Sequence, residues 1–169
     1  MKSIIRIFRI YLILAIVSFF FLFFIPKASA QLSGSYTINP AGGGFPNFKS
    51  FSEAVDALKL QGVNGAVVIN ATPGNYIVHT VIPQITGTNA ANTITFKSST
   101  NDSTQVTLSY TYTNSPEDNY MIMLDGADYI TFKSMTFNSY DGDQSYGLIF
   151  HITGGANNNK FLNNVFYGK

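Results

Sequence analysis

The chain has 169 residues, 46% of them hydrophobic and 11% charged, with a formal net charge of +1 and no cysteine. So small a charged fraction excludes a disordered polyelectrolyte, and near-neutrality excludes a nucleic-acid-binding surface. Without cysteine there is no disulfide framework, thiolate metal site, cysteine nucleophile or lipid-modified cysteine.

Residues 1–30 follow the secretory pattern. Lys2, Arg6 and Arg9 give a positive start, an apolar run extends from Ile10 to Ile25, Pro26 breaks it, and Ala28-Ser29-Ala30 offers a small-residue cleavage site. The run is short of the roughly 20 residues that span a bilayer, so a signal peptide cleaved before Gln31 is expected rather than a retained anchor. That predicts a secreted or cell-surface protein with no stable membrane span after cleavage. The split also changes the charge, because residues 31–169 keep six Lys and no Arg against nine Asp/Glu, a net of −3.

Residues 31–62 read as a leading segment and a capping helix. After the turn-rich Pro40-Ala41-Gly42-Gly43-Gly44, Ser50 and Glu53 form a capping box, and Phe51, Ala54, Val55 and Leu58 make one apolar stripe over a helix from Phe51 to Leu60. Gly62 suits its stop. One apolar face and one polar face (Ser52, Glu53, Asp56, Lys59) predict a helix that covers something larger.

Residues 63–169 read as short strands. β-Branched and aromatic runs at Ala66–Asn70, Tyr76–Val78, Thr80–Ile82, Thr93–Lys97, Val106–Tyr110 and Tyr120–Leu124 alternate with Gly, Asn, Asp, Ser and Pro. Further runs follow at Tyr129–Lys133, Met135–Phe137, Leu148–Ile152, Lys160–Leu162 and Val165–Tyr167. Ile94-Thr95-Phe96-Lys97-Ser98 recurs letter for letter as Ile130-Thr131-Phe132-Lys133-Ser134. A looser match follows 29 residues on, with Phe132 on Phe161 and Phe137 on Phe166. Units of roughly 30 residues with three strands each predict an all-β solenoid, a right-handed parallel β-helix with a short N-terminal capping helix. A β-sandwich also uses short strands, but it gives no reason for an in-frame repeat. In the solenoid Phe96, Phe132 and Phe161 stack inward at about 4.8 Å between strands, and Thr95, Thr131 and Lys160 point outward. Asn163-Asn164 falls where Ser134 breaks the preceding unit, and Asn suits the left-handed bend needed there.

Gly42-Gly43-Gly44-Phe45-Pro46-Asn47-Phe48, Phe51-Ser52-Glu53-Ala54-Val55, Val67-Val68-Ile69 and Pro73-Gly74-Asn75-Tyr76 together resemble the start of proteins of the pectin-lyase-like superfamily. The segments LDGADYITFKSMTF and ANNNKFLNNVF are similar to units of large exported β-helix proteins of the Bacteroidetes type. The resemblance covers residues 33–169. It implies a capped right-handed parallel β-helix, an architecture shared among lyases, esterases, hydrolases and adhesins, so it does not select a chemistry.

Candidate site residues are few. Asp141 and Asp143 flank Gly142 as a Ca²⁺ candidate pair, and Asp125 and Asp128 surround a turn as a weaker oxygen pair, where carboxylates serving the backbone are the favoured reading. His79 and His151 lack partners at metal-binding or base–orienter spacing. Tyr110, Tyr112, Tyr140 and Tyr146, with Tyr120, gather around the longer loops and offer faces for carbohydrate stacking. Lys133, with Lys97 and Lys160, suggests an outward basic ladder. The absence of Arg after residue 30 removes the usual bidentate partner of a carboxylate substrate. Asn70-Ala71-Thr72 and Asn101-Asp102-Ser103 match the N-glycosylation pattern.

These residues predict a stiff exported or cell-surface module with a structural, adhesive or glycan-binding role, no cofactor beyond a possible Ca²⁺, and no catalytic constellation of its own. The competing expectation is the N-terminal portion of a polysaccharide lyase or hydrolase whose active site lies in downstream units. Because the sequence stops just after a well-formed unit, truncation and self-association through the uncapped C-terminal unit are also expected.

Overall fold

A computed structural model describes residues 30–112, 115, 117–139 and 147–168. The first strand, β1 (Leu32–Ile38), is followed by the two-residue β2 (Asn47–Phe48) and the helix α1 (Phe51–Gln61). Then come β3 (Val63–Ala71), β4 (Gly74–Ile77), β5 (Thr80–Pro83), β6 (Ile94–Ser98), β7 (Val106–Ser109) and β8 (Tyr120–Asp125). They are followed by β9 (Ile130–Lys133), β10 (Thr136–Asn138), β11 (Leu148–Thr153), β12 (Lys160–Leu162) and β13 (Val165–Tyr167).

These strands form three sheets, ordered β12-β9-β6-β3-β1-β2, β13-β10-β7-β4 and β11-β8-β5. Every ladder between named strands is parallel. From β3 onward the chain visits the first, second and third sheet in rotation, and each strand pairs with the one three places on. The architecture is therefore all-β and parallel, with α1 its main helical element.

The repeated pentapeptide sets the register. Ile94 lies opposite Ile130, Thr95 opposite Thr131, Phe96 opposite Phe132 and Lys97 opposite Lys133. Phe132 in turn faces Phe161. Alternation along each strand sends Ile94, Phe96, Ile130 and Phe132 inward, where each is at most 1% exposed. The rings of Phe96 and Phe132 lie 5.4 Å apart and 11° from parallel, and those of Phe132 and Phe161 5.8 Å and 10°. A second column joins Phe137 to Phe166 at 5.3 Å. Phe150 lies between the columns, 5.0 Å from both Phe132 and Phe137.

The helix matches its expected stripe, with Phe51, Ala54, Val55 and Leu58 buried. The Glu53 amide donates to Ser50 Oγ (3.1 Å), while Glu53 Oε2 accepts from the amide of Lys49 (2.5 Å) rather than of Ser50. The Gly62 amide donates to Leu58 O and closes the helix. Phe51 stacks on Phe96 at 6.0 Å, so the helix supplies the first ring of the aromatic column.

One element departs from the expectation. The leading segment, read only as turns before the helix, contributes β1, which pairs with β3 from Leu32↔Val63 to Ile38↔Ala71 with an irregularity between Leu32 and Gly34. Ser, Gly and Thr disguise the strand, but Leu32, Tyr36 and Ile38 point inward and are buried.

The asparagines bind one round of strands to the next. Asn164 Oδ1 accepts from the amide of Met135 (3.0 Å) and its Nδ2 donates to Phe132 O (2.8 Å). Asn159 repeats the pattern on Ile130 N (2.9 Å) and Ala127 O (2.8 Å). In both cases the side-chain amide stands in for a missing peptide group at a bend of the round before. The bends themselves are left-handed, at Ser134 (φ 54°) and Asn163 (φ 53°), and at Tyr129 (φ 61°) and Asn158 (φ 59°).

Candidate functional site

A groove of about 220 Å³ opens at the edge of the first sheet, where β6, β9 and β12 begin. Three separate stretches line it: Ala90 and Thr93 before and at the start of β6, Tyr129 and Thr131 around the start of β9, and Asn158 to Lys160 at the start of β12. The parallel register brings them together, since Thr131 pairs directly with Lys160.

Each side of the groove is held by hydrogen bonds of its own. In the loop before β6, Asn89 Oδ1 accepts from the amides of Ala91 (2.8 Å) and Asn92 (3.0 Å), and both Asn89 and Asn92 donate through Nδ2 to Gly87 O. Gly87 has φ +93°, and a Cβ there would lie 1.9 Å from Val63 O, so this bend admits only glycine. On the other side, Asn159 grips the preceding round, and Asp128 Oδ1 accepts from the amide of Asn157 (2.6 Å). A site built on such braced loops needs little ordering when it is filled.

Tyr129 is the unusual residue of the groove. Its backbone is saturated, because its amide donates to Asn157 O (3.2 Å) and its carbonyl accepts from the amide of Ile94 (3.1 Å). A bulky side chain in the left-handed region is strained. The matching position one round later is an asparagine, which tolerates that conformation. Among the described residues the Tyr129 hydroxyl has no hydrogen-bond partner and its ring no aromatic neighbour. It is half-buried.

Of the sequence-derived candidates among the described residues, Lys160 lines the groove and the others lie elsewhere. Tyr112, expected to offer an exposed face, is 4% exposed. It packs edge-on against Tyr110 at 5.2 Å and donates through its hydroxyl to Leu148 O (3.1 Å). Burial makes it a packing residue. Tyr110 is half-buried and stacks flat on the exposed ring of His79, at 4.4 Å and 6°. His79 also meets Tyr120 at 4.7 Å, and Tyr120 meets His151 at 6.3 Å. Burial, then the charge of Asp118 and the presence of Tyr110, push the Tyr120 phenol above its usual pKa. The two histidines thus belong to an aromatic ladder at the corner between the second and third sheets. Their spacing concealed this, because the ladder is set by sheet register.

Lys97 and Lys133 stand in register on the outward face of the first sheet, and Lys160 lies beside them opposite Thr131. Among the described residues none of the three makes an ion pair; the pair that occurs is Lys59 with Asp56 (3.5 Å). Asp141, Asp143, Tyr140 and Tyr146 lie outside the described residues. Among the described residues no three His, Asp or Glu side chains are grouped so as to hold a metal ion. Asn70 donates to Ser35 Oγ and Tyr36 O. Asp102 accepts from the amide and hydroxyl of Thr104 (2.9 and 2.8 Å), and these bonds hold its carboxyl below the usual carboxylate range. No described helix is long and apolar enough to cross a membrane.

No protein family matches this chain, and neither the curated proteins nor the solved structures include a match.

Proposed function

We propose that this chain is an exported right-handed parallel β-helix of the pectin-lyase-like type, acting at the cell surface or outside the cell as a stiff glycan-binding or adhesive module. The handedness is supported by the rotation of the chain through three parallel sheets, because parallel crossovers are almost always right-handed. Export is supported by the pattern of residues 1–30.

The observation that carries the glycan-binding reading is the braced groove beside the outward face of the first sheet. It combines an aromatic residue, a hydroxyl, amide groups and an ammonium within one concavity. Sugars are recognised by that mixture, since ring faces are apolar and ring edges are rich in hydroxyls. The catalytic alternative requires paired carboxylates, or a base beside a cation, and the groove lining carries one cation and no carboxylate.

The test screens the purified exported protein against immobilised neutral and acidic polysaccharides, with release of new reducing ends measured in parallel. Binding without release is the expected result. Release of product overturns the non-catalytic reading, and absence of binding across the panel overturns the glycan-binding one.

A further inference from the structure

Tyr129 is held in a conformation that costs the fold stability, at a place where the next round of the chain uses the relaxed residue. A packing role does not explain the choice. The aromatic columns that fill the interior run through Phe96, Phe132, Phe161, Phe137 and Phe166. Tyr129 joins neither column, and its hydroxyl is free among the described residues. Backbone strain kept at a concave, preorganised place is a mark of a ligand contact.

We propose that the groove binds a neutral hexopyranose unit of a glycan chain, with the ring of Tyr129 under the sugar face. Thr131, Asn158 and Lys160 supply hydrogen bonds to its hydroxyls. The inference rests on the glycan-binding reading and adds the site and the class of sugar. The preference for a neutral unit follows from charge. Lys160 is the one cation lining the groove, and the Asp128 carboxylate, which accepts from the amide of Asn157, joins the chain neighbours of Tyr129 and Asn158 and offsets that charge nearby. An acidic sugar needs a surplus of positive charge that this arrangement does not provide. The paired Lys97 and Lys133 lie along the strands and outside the groove lining.

The experiment measures binding of cellohexaose, mannohexaose, maltohexaose and an oligogalacturonate to the full protein by calorimetry and saturation-transfer NMR. The variants are Tyr129→Asn, Tyr129→Phe, Lys160→Gln and Lys133→Ala. At least one neutral hexamer binds, and Tyr129→Asn weakens it tenfold or more. Because Asn suits the left-handed bend, that variant keeps its melting temperature within about 2 °C of the parent or above it. Tyr129→Phe keeps the ring and stays within about threefold, Lys160→Gln loses about three- to fivefold, and Lys133→Ala is unchanged. Should Tyr129→Asn fail to fold, the Lys160→Gln and Lys133→Ala pair decides the matter alone.

Binding that is indifferent to Tyr129 and Lys160 overturns this site while leaving the glycan-binding reading intact. Binding of the oligogalacturonate alone overturns the neutral class. No binding by any hexamer, with polysaccharides still retained in the panel, overturns the single-sugar groove but not the adhesive role.

Discussion

Replacing Asn164 with alanine removes one side chain and takes a hydrogen bond from each of two main-chain groups. Met135 N loses an acceptor at 3.0 Å and Phe132 O loses a donor at 2.8 Å. Both residues have buried side chains. Phe132 O keeps its ladder partner on β12, so Met135 N is the group left unsatisfied, and an unsatisfied buried polar group costs about 1–3 kcal/mol. Asn164 itself is half-buried, so water reaches part of the vacated space and the lower end applies to Met135 N. The expected loss is about 1–2 kcal/mol, read as a lower urea midpoint with unchanged slope, or a melting temperature lower by about 3–8 °C. Asn164→Asp separates this account from a general loss of packing. A carboxylate still accepts from Met135 N but faces the Phe132 carbonyl with no proton to donate. The protonated acid can donate, so its pKa is raised in the folded state. Its stabilising contribution is then full below the unfolded value of about 3.9 and is lost as pH rises through the folded one. Asn164→Asp therefore recovers stability on acidification relative to Asn164→Ala. An alanine variant within about 0.5 kcal/mol of the parent, or identical pH profiles for the two variants, refutes the reasoning.

Phe132 contacts Phe96, Phe137, Phe150 and Phe161 and is fully buried, so Phe132→Ala costs about 3–5 kcal/mol in urea titration, and Phe132→Leu about 1–2. Gly87→Ala drives a Cβ into Val63 O at a left-handed bend and lowers stability by more than about 2 kcal/mol, with loss of groove binding as the Ala90–Thr93 side shifts. The raised pKa of Tyr120 means that the unfolded chain ionises first as pH rises. The stability it contributes is full below about 10 and is lost through the folded pKa, so Tyr120→Phe flattens the alkaline arm of the stability profile. If residues 1–30 are a cleaved export signal, as proposed, N-terminal sequencing of the protein recovered outside the cell gives Gln31 first; a chain still beginning at Met1 refutes the cleavage reading.

The repeat was legible because identical residues in parallel register must be neighbours. Ile94-Thr95-Phe96-Lys97 against Ile130-Thr131-Phe132-Lys133 gave the ladder between β6 and β9 directly. The helix was legible from its caps and stripe, and the bend at Ser134 and Asn163 from the residue type. β1 was not, because Gly34, Ser33 and Ser35 broke the alternation that Leu32, Tyr36 and Ile38 carry. The groove was not legible either. Thr93, Tyr129 and Lys160 are distant in sequence and become one surface only through the register of three strands. Tyrosine count alone pointed to the loops, and could not separate the buried Tyr112 from the strained, half-exposed Tyr129.

The corners between the sheets have a further consequence. Between the first and second sheets the chain passes from Lys133 to Thr136 in a tight bend, yet one round earlier it runs from Ser98 to Val106 through a short 3-10 turn. Between the third and first sheets it runs from Pro83 to Ile94 in one round and only from Asp125 to Ile130 in the next. Phe96 and Phe132 are thus 36 residues apart and Phe132 and Phe161 only 29, although both pairs are simple neighbours in space. Insertions and deletions are absorbed outside the ladder. Descendants of such a chain can therefore change in length at the corners and acquire new loops beside the groove, while the strands that follow Tyr129 and carry Lys160 stay in place.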